Sequence, residues 1–472
     1  MTTKPDDSGS EKRSREQVKA PPIKPVYVQN SVGDTFDLGS VAASLGDKSN
    51  DAKEVRGLLR FTPSDRVEIL VAEKDQMAAF RRMSQSGLEP VVDDFHLPYT
   101  SKPQRMLLSS QQDGHLVYSP QRTPIRVLRS SGPISKVVCH FFNWPIFTRS
   151  NPAKGALDDV VLVTGTPPLE GMRVLHRSTI FAGGWNLTIC ETEGASELRK
   201  AAGETGFAMT HVGEIVRANG DPFSIESVDE FLTCLHYYFS MCLAKWAGPT
   251  LAVGFDEQGC VVFEDWGMTK TSWGKWNEST SWMDAHNPQL LYEVFPGFWK
   301  LWMNQQWQES LKGAIYWYVG ASHIGHGLQV DSALLLTQSA LELLSWSYCV
   351  KDRKMLSEEA YKPRGLSAAN KIRVLLSSLS IPLDIPKEIS SLRARKGKPW
   401  VDSADAITDI RNGLVHPGET RSVPNLGYYD AWRISLWLLD LIFLGLCGHT
   451  GEYANRLRKR RVGIVDTVPW KT

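Results

Sequence analysis

At 472 residues the chain is longer than one hydrophobic core usually organises, so two or three domains are expected. Its 53 basic and 52 acidic side chains give a formal charge of +1, which excludes a globally basic nucleic-acid binder. Seven scattered cysteines, none spaced C-x-x-C, fit a reducing compartment and argue against a thiolate zinc site.

Charge is distributed unevenly. Lys+Arg against Asp+Glu count 24 and 22 over residues 1–195, 7 and 14 over 196–304, and 22 and 16 over 305–472. The middle is therefore acidic and the last third basic, which locates any polyanion contact in the last third.

Residues 1–25 combine charge, Ser and Pro with few large apolar side chains, the composition of a disordered tail. They contain no apolar h-region and so read as no secretory signal. From 26 to 194, short runs such as "RVEILVA", "HLVYS", "SKVVCHFF", "DDVVLVTG" and "WNLTICE" are broken by Gly, Pro, Asn and Asp. This spacing predicts a β-rich, sandwich-like domain. Residues 195–304 read as a small α+β segment packed on it: a hairpin-type turn at Asn219-Gly220, a helix in "SVDEFLTCLHYYFSMCLAKWAG", and two strands around a Glu257–Gly259 turn. Eight tryptophans between Trp266 and Trp317 are expected to be interdomain core; the competing reading is a stacking platform for bases or sugars.

Beyond about residue 305 the strand signals stop. Helical runs at 308–319, 328–350, 366–379, 385–395, 403–416 and 427–448 predict an all-α bundle of five or six helices over 305–450, followed by a basic tail at 451–472. The overall class is α+β multidomain. Within the 328–350 helix, Gln338 and Glu342 lie one turn apart and form a polar stripe on an otherwise apolar surface. "ISLWLLDLIFLGLC", residues 434–447, is too short for a bilayer and carries Asp440, so a buried helix is expected, with no membrane contact and a cytoplasmic setting.

One stretch carries chemistry. In "ADAITDIRNGLVHPGE", residues 404–419, Arg411 and His416 stand at the end of an amphipathic helix that Pro417 stops. RNA cleavage by its own 2′-OH needs a base for the hydroxyl proton, an acid for the leaving 5′-oxygen, and a cation against the developing phosphorane charge. Histidine suits the first two roles and arginine the third, and no metal or cofactor is required. Five residues advance a helix by about 500°, so Arg411 and His416 project roughly 140° apart, whereas Asn412 and His416 share a face. One motif also supplies one histidine for two proton transfers. A pair of chains across a two-fold axis removes both difficulties.

Arg411-Asn412, three further residues and His416 fit the Arg-x4-6-His signature of the HEPN superfamily, and "IRNGLVHP" in a helical bundle behind a β-rich part resembles the ApeA-type HEPN proteins. The motif resemblance covers roughly 305–450; over 26–304 it is one of layout. It implies a homodimeric RNase acting in anti-phage defence, with RNA, tRNA included, as the partner and the N-terminal region as a sensor of an unknown trigger. Arg411 would stabilise phosphate, His416 would be acid or base, and Asn412 would orient substrate or His416. Gly418 stands where several HEPN groups carry tyrosine, which makes their nucleotide-transferring partners less applicable.

Competing readings stay open. Arg411 can be a surface cation and His416 a cap for the last carbonyls. Gln338 and Glu342 can orient the motif or tie helices together. The basic runs, with Arg393, Arg395, Lys396 and Lys398 in the first and Arg458, Lys459 and Arg460 in the second, are either solvated faces or phosphate guides. His323 and His326 are a weak metal pair, Asp256, Glu264 and Asp265 read as solvated turn carboxylates, and His211 and Arg217 as structural. No phosphate-cradling or nucleophile-elbow motif occurs. Besides the RNase, the chain can be a non-catalytic RNA- or protein-binding bundle, or a Trp-rich ligand-binding protein whose bundle dimerises.

Overall fold

The computed structural model describes residues 23–45, 53–61, 67–72, 91–96, 104–112, 115–120, 125–145, 161–163, 173–175, 177–203, 206–272, 281–284, 286–323, 329–362, 364–393, 400–416, 425–458 and 463–471. The tail expected at 1–25 lies almost wholly outside the described residues.

The alternating runs of the N-terminal part form six antiparallel strands: β1 (Phe36–Leu45), β2 (Lys53–Phe61), β3 (Val67–Ala72), β4 (Val91–His96), β5 (Gln104–Gln112) and β6 (His115–Pro120). Their order is β1-β2-β3-β6-β5-β4, and Ser44 and Leu45 of β1 pair with His96 and Phe95 of β4, closing a barrel. The sandwich-like expectation over 26–194 is therefore corrected. Alternation along a strand is the same in a sandwich and a barrel, and closure depends on a pairing between distant strands.

The next strands are β7 (Ile125–Leu128), β8 (Lys136–Phe142), a small pair β9 (Val161–Val163) and β10 (Arg173–Leu175), then β11 (Arg177–Ala182), β12 (Trp185–Glu191), β13 (Met209–Arg217), β14 (Thr250–Phe255) and β15 (Val261–Trp266). Seven of them make one antiparallel sheet in the order β11-β12-β13-β8-β14-β15-β7. The sheet thus crosses the boundary expected at residue 194. Its central strand, β8, is buried along nearly its whole length and needs partners on both edges, and β13 and β14 supply them from later in the chain. Gly220 does form a turn with φ +79°, but it leads into a helix rather than a return strand.

Pleating sends Val137, Cys139 and Phe141 of β8 into the main core, while Val138 joins Cys190 and Val212 on the other face, where Ile23 packs. The main-core face is covered by α2 (Ile225–Leu243), with α1 (Ala195–Ala202) preceding β13. Gly213 of β13 makes this packing possible: a Cβ there would lie 2.8 Å from the Phe141 ring. Trp185 stacks on Phe231 of α2 at 4.8 Å, and Phe231 in turn meets Phe295 and Trp299 edge-on.

The remaining chain is helical: α3 (Gln289–Trp302), α4 (Gln305–Ser322), α5 (Val330–Trp346) continued by a π-helical turn at Ser347–Asp352, α6 (Glu358–Tyr361), α7 (Ala368–Ser378), α8 (Ser390–Arg393), α9 (Ser403–Val415) and α10 (Asn425–Leu446). One buried cluster runs from Ile134 of the sheet region to Val468, so sheet and bundle share a core. Trp266, Trp282, Trp302 and Trp307 are buried within the fold, in keeping with the core reading; Trp273 and Trp276 lie outside the described residues.

The stretch 434–447 falls in α10. No described helix is long and apolar enough to cross a membrane. The tail expected at 451–472 is folded onto the bundle instead: β16 (Glu452–Tyr453) pairs with β17 (Asp466–Thr467), and Tyr453, Leu457 and Val468 are buried. These apolar residues stand singly among charges, so the composition of the segment conceals them.

Candidate active site

Helix α9 is fixed at its start and open at its end. Asp402 is its N-cap, accepting from Asp405 N at 2.8 Å, and the same carboxylate takes two bonds from Arg373 of α7. Trp400 Nε1 donates to Asp409 Oδ2 at 2.8 Å, and Ser403 N to the Leu383 carbonyl at 2.9 Å. Ala404, Ala406, Ile407 and Ile410 then bury the helix's inner face against the bundle.

In the last turn this burial ends. Arg411, Asn412, Gly413 and Leu414 are half-buried, and Val415 and His416 are exposed. The helix stops at His416, whose backbone N–H donates to the Asn412 carbonyl at 2.9 Å. Arg411 Nη1 donates to Asn412 Oδ1 at 3.2 Å, while Arg411 Nε is buried with no acceptor, and no described carboxylate pairs with this guanidinium. A Cβ at Gly413 would meet nothing within 4 Å, so the helix is open to space at this position. The arrangement offers a cation with spare donor capacity, an amide beside it, and an imidazole in solvent.

The other sequence candidates fall elsewhere. Gln338 Nε2 donates to Glu342 Oε1 at 2.9 Å, a bond within α5, and the Glu342 carbonyl accepts from Tyr361 at 2.9 Å. Among the described residues neither side chain bonds to Arg411, Asn412 or His416; the side-chain bond stays within α5, and the tie to α6 runs through the Glu342 backbone carbonyl. Arg393 is exposed at the end of α8; Arg395, Lys396 and Lys398 lie outside the described residues. Arg458 is exposed and pairs with Asp466 at 2.9 Å; Lys459 and Arg460 lie outside the described residues. No group of His, Cys, Asp or Glu among the described residues could hold a metal ion, and His326 falls outside them.

Asp265 is no solvated turn carboxylate. It is buried and takes two bonds at 2.6 Å from Arg126, which also reaches Asp229. Glu264 accepts from Trp266 Nε1 at 2.8 Å, and Asp256 holds its own turn through Cys260 N. His211 is buried on β13, and Arg217 lies 3.7 Å over the Trp185 ring.

Sequence reasoning missed two groups. His140 is fully buried in β8, with Nδ1 3.0 Å from the Leu251 carbonyl and Nε2 3.2 Å from the N–H groups of both Val26 and Tyr27. Nδ1 therefore carries the proton and Nε2 accepts, and burial pushes this histidine down to about 4. Lys245, just past α2, is also buried; desolvation, with Arg199 adding repulsion, brings it down to about 7. Nothing local in "HFF" or "AKWAG" marks either as interior.

Residues 304–466 match the family described as the YopA C-terminal domain. Residues 129–277 match the YopA central domain. The first match spans α4 to β17 and so contains the Arg411–His416 end of α9; the second covers most of the seven-stranded sheet. The chain is also similar to the SPbeta prophage-derived uncharacterized protein YopA of Bacillus subtilis (strain 168), with 26% identity over 316 residues, 64% of this chain and 69% of that protein. No solved structure matches. None of these similarities bears on the HEPN resemblance.

Proposed function

We propose that the chain is a metal-independent endoribonuclease of HEPN type, working as a cytoplasmic homodimer through its C-terminal bundle. The observation that carries the reading is Arg411. It is a half-buried guanidinium with no carboxylate partner among the described residues and an Nε without an acceptor, five residues before an exposed histidine. A buried donor without an acceptor costs about 1–3 kcal/mol, and a phosphate oxygen is the acceptor that the RNase chemistry would bring.

In the reaction, a histidine takes the 2′-OH proton, the 2′-oxygen attacks phosphorus, and the bond to the 5′-oxygen breaks as a second histidine protonates it. The products are a 2′,3′-cyclic phosphate and a 5′-hydroxyl. Arg411 offsets charge on the phosphorane, and Asn412 holds the guanidinium plane through its Oδ1. His416 of each copy supplies one of the two proton transfers. Val415 and Leu426, exposed on either side of the segment joining α9 to α10, are apolar surface for the second copy.

The barrel and the sheet are proposed as the sensor for a trigger. A relative described as prophage-derived supports a setting where phage and host genes meet, in which an RNase, tRNA among its substrates, would serve defence. The described tryptophans between 266 and 317 are buried or partly buried, which supports a core role for them over the Trp-rich ligand-binding alternative.

The test is cleavage of RNA by the purified full chain in EDTA, with wild type, His416→Ala, and a mixture of Arg411→Ala and His416→Ala chains. The reading expects wild-type cleavage to cyclic-phosphate ends, loss in each single variant, and no return in the mixture, because a mixed dimer holds one His416 where the two proton transfers need two. Complete loss in EDTA that zinc or magnesium restores would overturn it. So would equal activity of wild type and His416→Ala, or RNA binding without cleavage, which is the non-catalytic module.

A further inference from the structure

The two basic runs of the C-terminal third begin more than sixty residues apart in sequence, yet the fold links a described residue beside the first to one within the second through α10. Ser391, in the helix that opens the first run, donates its hydroxyl to Asp430 Oδ2 at 2.7 Å. Asp430 Oδ1 accepts from Arg433 Nη1 at 3.2 Å, and Arg433 Nη2 donates to the Leu457 carbonyl at 2.9 Å, inside the second run. Asp430 is only 4% exposed, so this chain of bonds is an internal truss. Two exposed arginines adjoin its ends in the chain: Arg393, two positions past Ser391, and Arg458, next to Leu457.

Tyr429 lies beside the truss. It is 46% exposed, its ring 5.3 Å from Trp432, with the Arg433 guanidinium 5.9 Å from the ring centre. Exposed cations together with an exposed, backed aromatic ring are what a single-stranded nucleic acid uses: phosphates follow the charges while a base stacks on the ring. An acidic protein would use the charges and leave the ring idle. Arg458, its side chain 55% exposed, pairs with Asp466, which is 17% exposed.

We infer that Arg393, Tyr429 and Arg458 form a docking surface for single-stranded RNA, separate from the Arg411–His416 end of α9 and serving to hold the substrate there. The inference rests on the RNase reading for its biological role, but its binding chemistry stands apart. The truss residues Asp430 and Arg433 position the surface and are not proposed to touch RNA.

Binding of a fluorescent single-stranded RNA to the full-length His416→Ala chain, which removes cleavage from the measurement, tests the surface. Arg393→Glu with Arg458→Glu should weaken binding at least tenfold and reduce the slope of log affinity against log salt by about 0.7 for each phosphate that is no longer neutralised. Tyr429→Ala should weaken binding about 5- to 150-fold, the loss of one stacked base, with the salt slope kept. Tyr429→Phe should restore it, which a misfolded surface could not do. Unchanged affinity in the arginine and Tyr429→Ala variants would overturn the surface while leaving the RNase reading intact. Polyglutamate binding as tightly as RNA, with Tyr429→Ala neutral, would overturn it in favour of an acidic protein. Weakened binding together with a wild type that never cleaves would keep the surface and remove the RNase.

Discussion

Arg456 grips Asp440 with two bonds, Nε to Oδ2 at 2.6 Å and Nη2 to Oδ1 at 2.8 Å, where water hardly reaches either side chain. Tyr318 of α4 donates to the same carboxylate at 2.6 Å and accepts from Arg456 at 2.9 Å. Burial works against the charge on Arg456, but Asp440 and Tyr318 outweigh it and hold the guanidinium protonated. The first arginine of "RLRKRR" is therefore a core residue, and it locks the chain's last segment to the middle of the bundle.

Breaking such a pair leaves one buried charge uncompensated, so Asp440→Asn or Arg456→Met should each cost about 3–5 kcal/mol. Replacing both with leucine should cost less than either single change. Denaturant unfolding of the three variants measures this, and additive losses would show that the two side chains do not act as a unit.

The same residues show what was legible in the sequence. Helix periodicity found α5, α7, α9 and α10, because each buries a regular apolar stripe and is stopped by Pro, Gly or a cap. Asp440 warned that the apolar run was not a membrane span, yet its partner could not be named from sixteen residues away. The barrel closure, the entry of β13 and β14 into the sheet of β8, and the meeting of Ser391 with Leu457 through Asp430 and Arg433 are all long-range pairings with no local trace. At the site, Arg411 and His416 were legible as residue types at the end of a helix. The missing acceptor at Nε was not, since it depends on every neighbour at once.

Acid should loosen the fold before the carboxylates titrate. Burial holds both His140 and His236 down to about 4, well below the unfolded value near 6.5. Between those values only the unfolded chain takes up the protons, so stability is complete above about pH 6.5 and falls as pH drops towards 4. Each histidine should cost about 2 kcal/mol by pH 5. Denaturation at pH 7 and pH 5 reads the slope, and His140→Gln should remove its share; a wild-type midpoint equal at both pH values would exclude the neutral, buried state.

Asp402 serves α9 twice, as N-cap and as acceptor for Arg373. Asp402→Ala should therefore cost about 2–3 kcal/mol, one from the cap and the remainder from the ion pair. Asp402→Asn, which keeps a capping oxygen, should cost less. If α9 positions the motif, RNA cleavage should fall in the same order, and full activity in the destabilised alanine variant would show that the helix start does not matter to the site.

Gly413 tests whether the open face of α9 is a passage or an accident. Its side-chain direction is empty, so Gly413→Ala should raise stability by up to about 1 kcal/mol through helix propensity alone. Gly413→Glu should fold equally well but repel a polyanion and lower cleavage. Equal cleavage by the alanine and glutamate variants would mean that RNA does not pass over this face.

Arg411 and His416 should fail in different ways, because one is proposed to hold charge and the other to move protons. A neutral histidine adds little to ground-state binding, so His416→Ala should leave RNA affinity nearly intact and lower the cleavage rate by about 10² to 10⁴. Arg411→Lys keeps a positive charge but replaces a planar fork with a point charge, and should retain part of the affinity while losing rate at the phosphorane. Neither change should shift the thermal midpoint much: His416 is exposed, and Arg411 is half-buried, its side chain bonded among the described residues to its neighbour Asn412. Rate, affinity and midpoint measured side by side decide the matter. If both variants unfold, and wild type cleaves no RNA, the two residues hold the end of α9 in place and the bundle is a binding module.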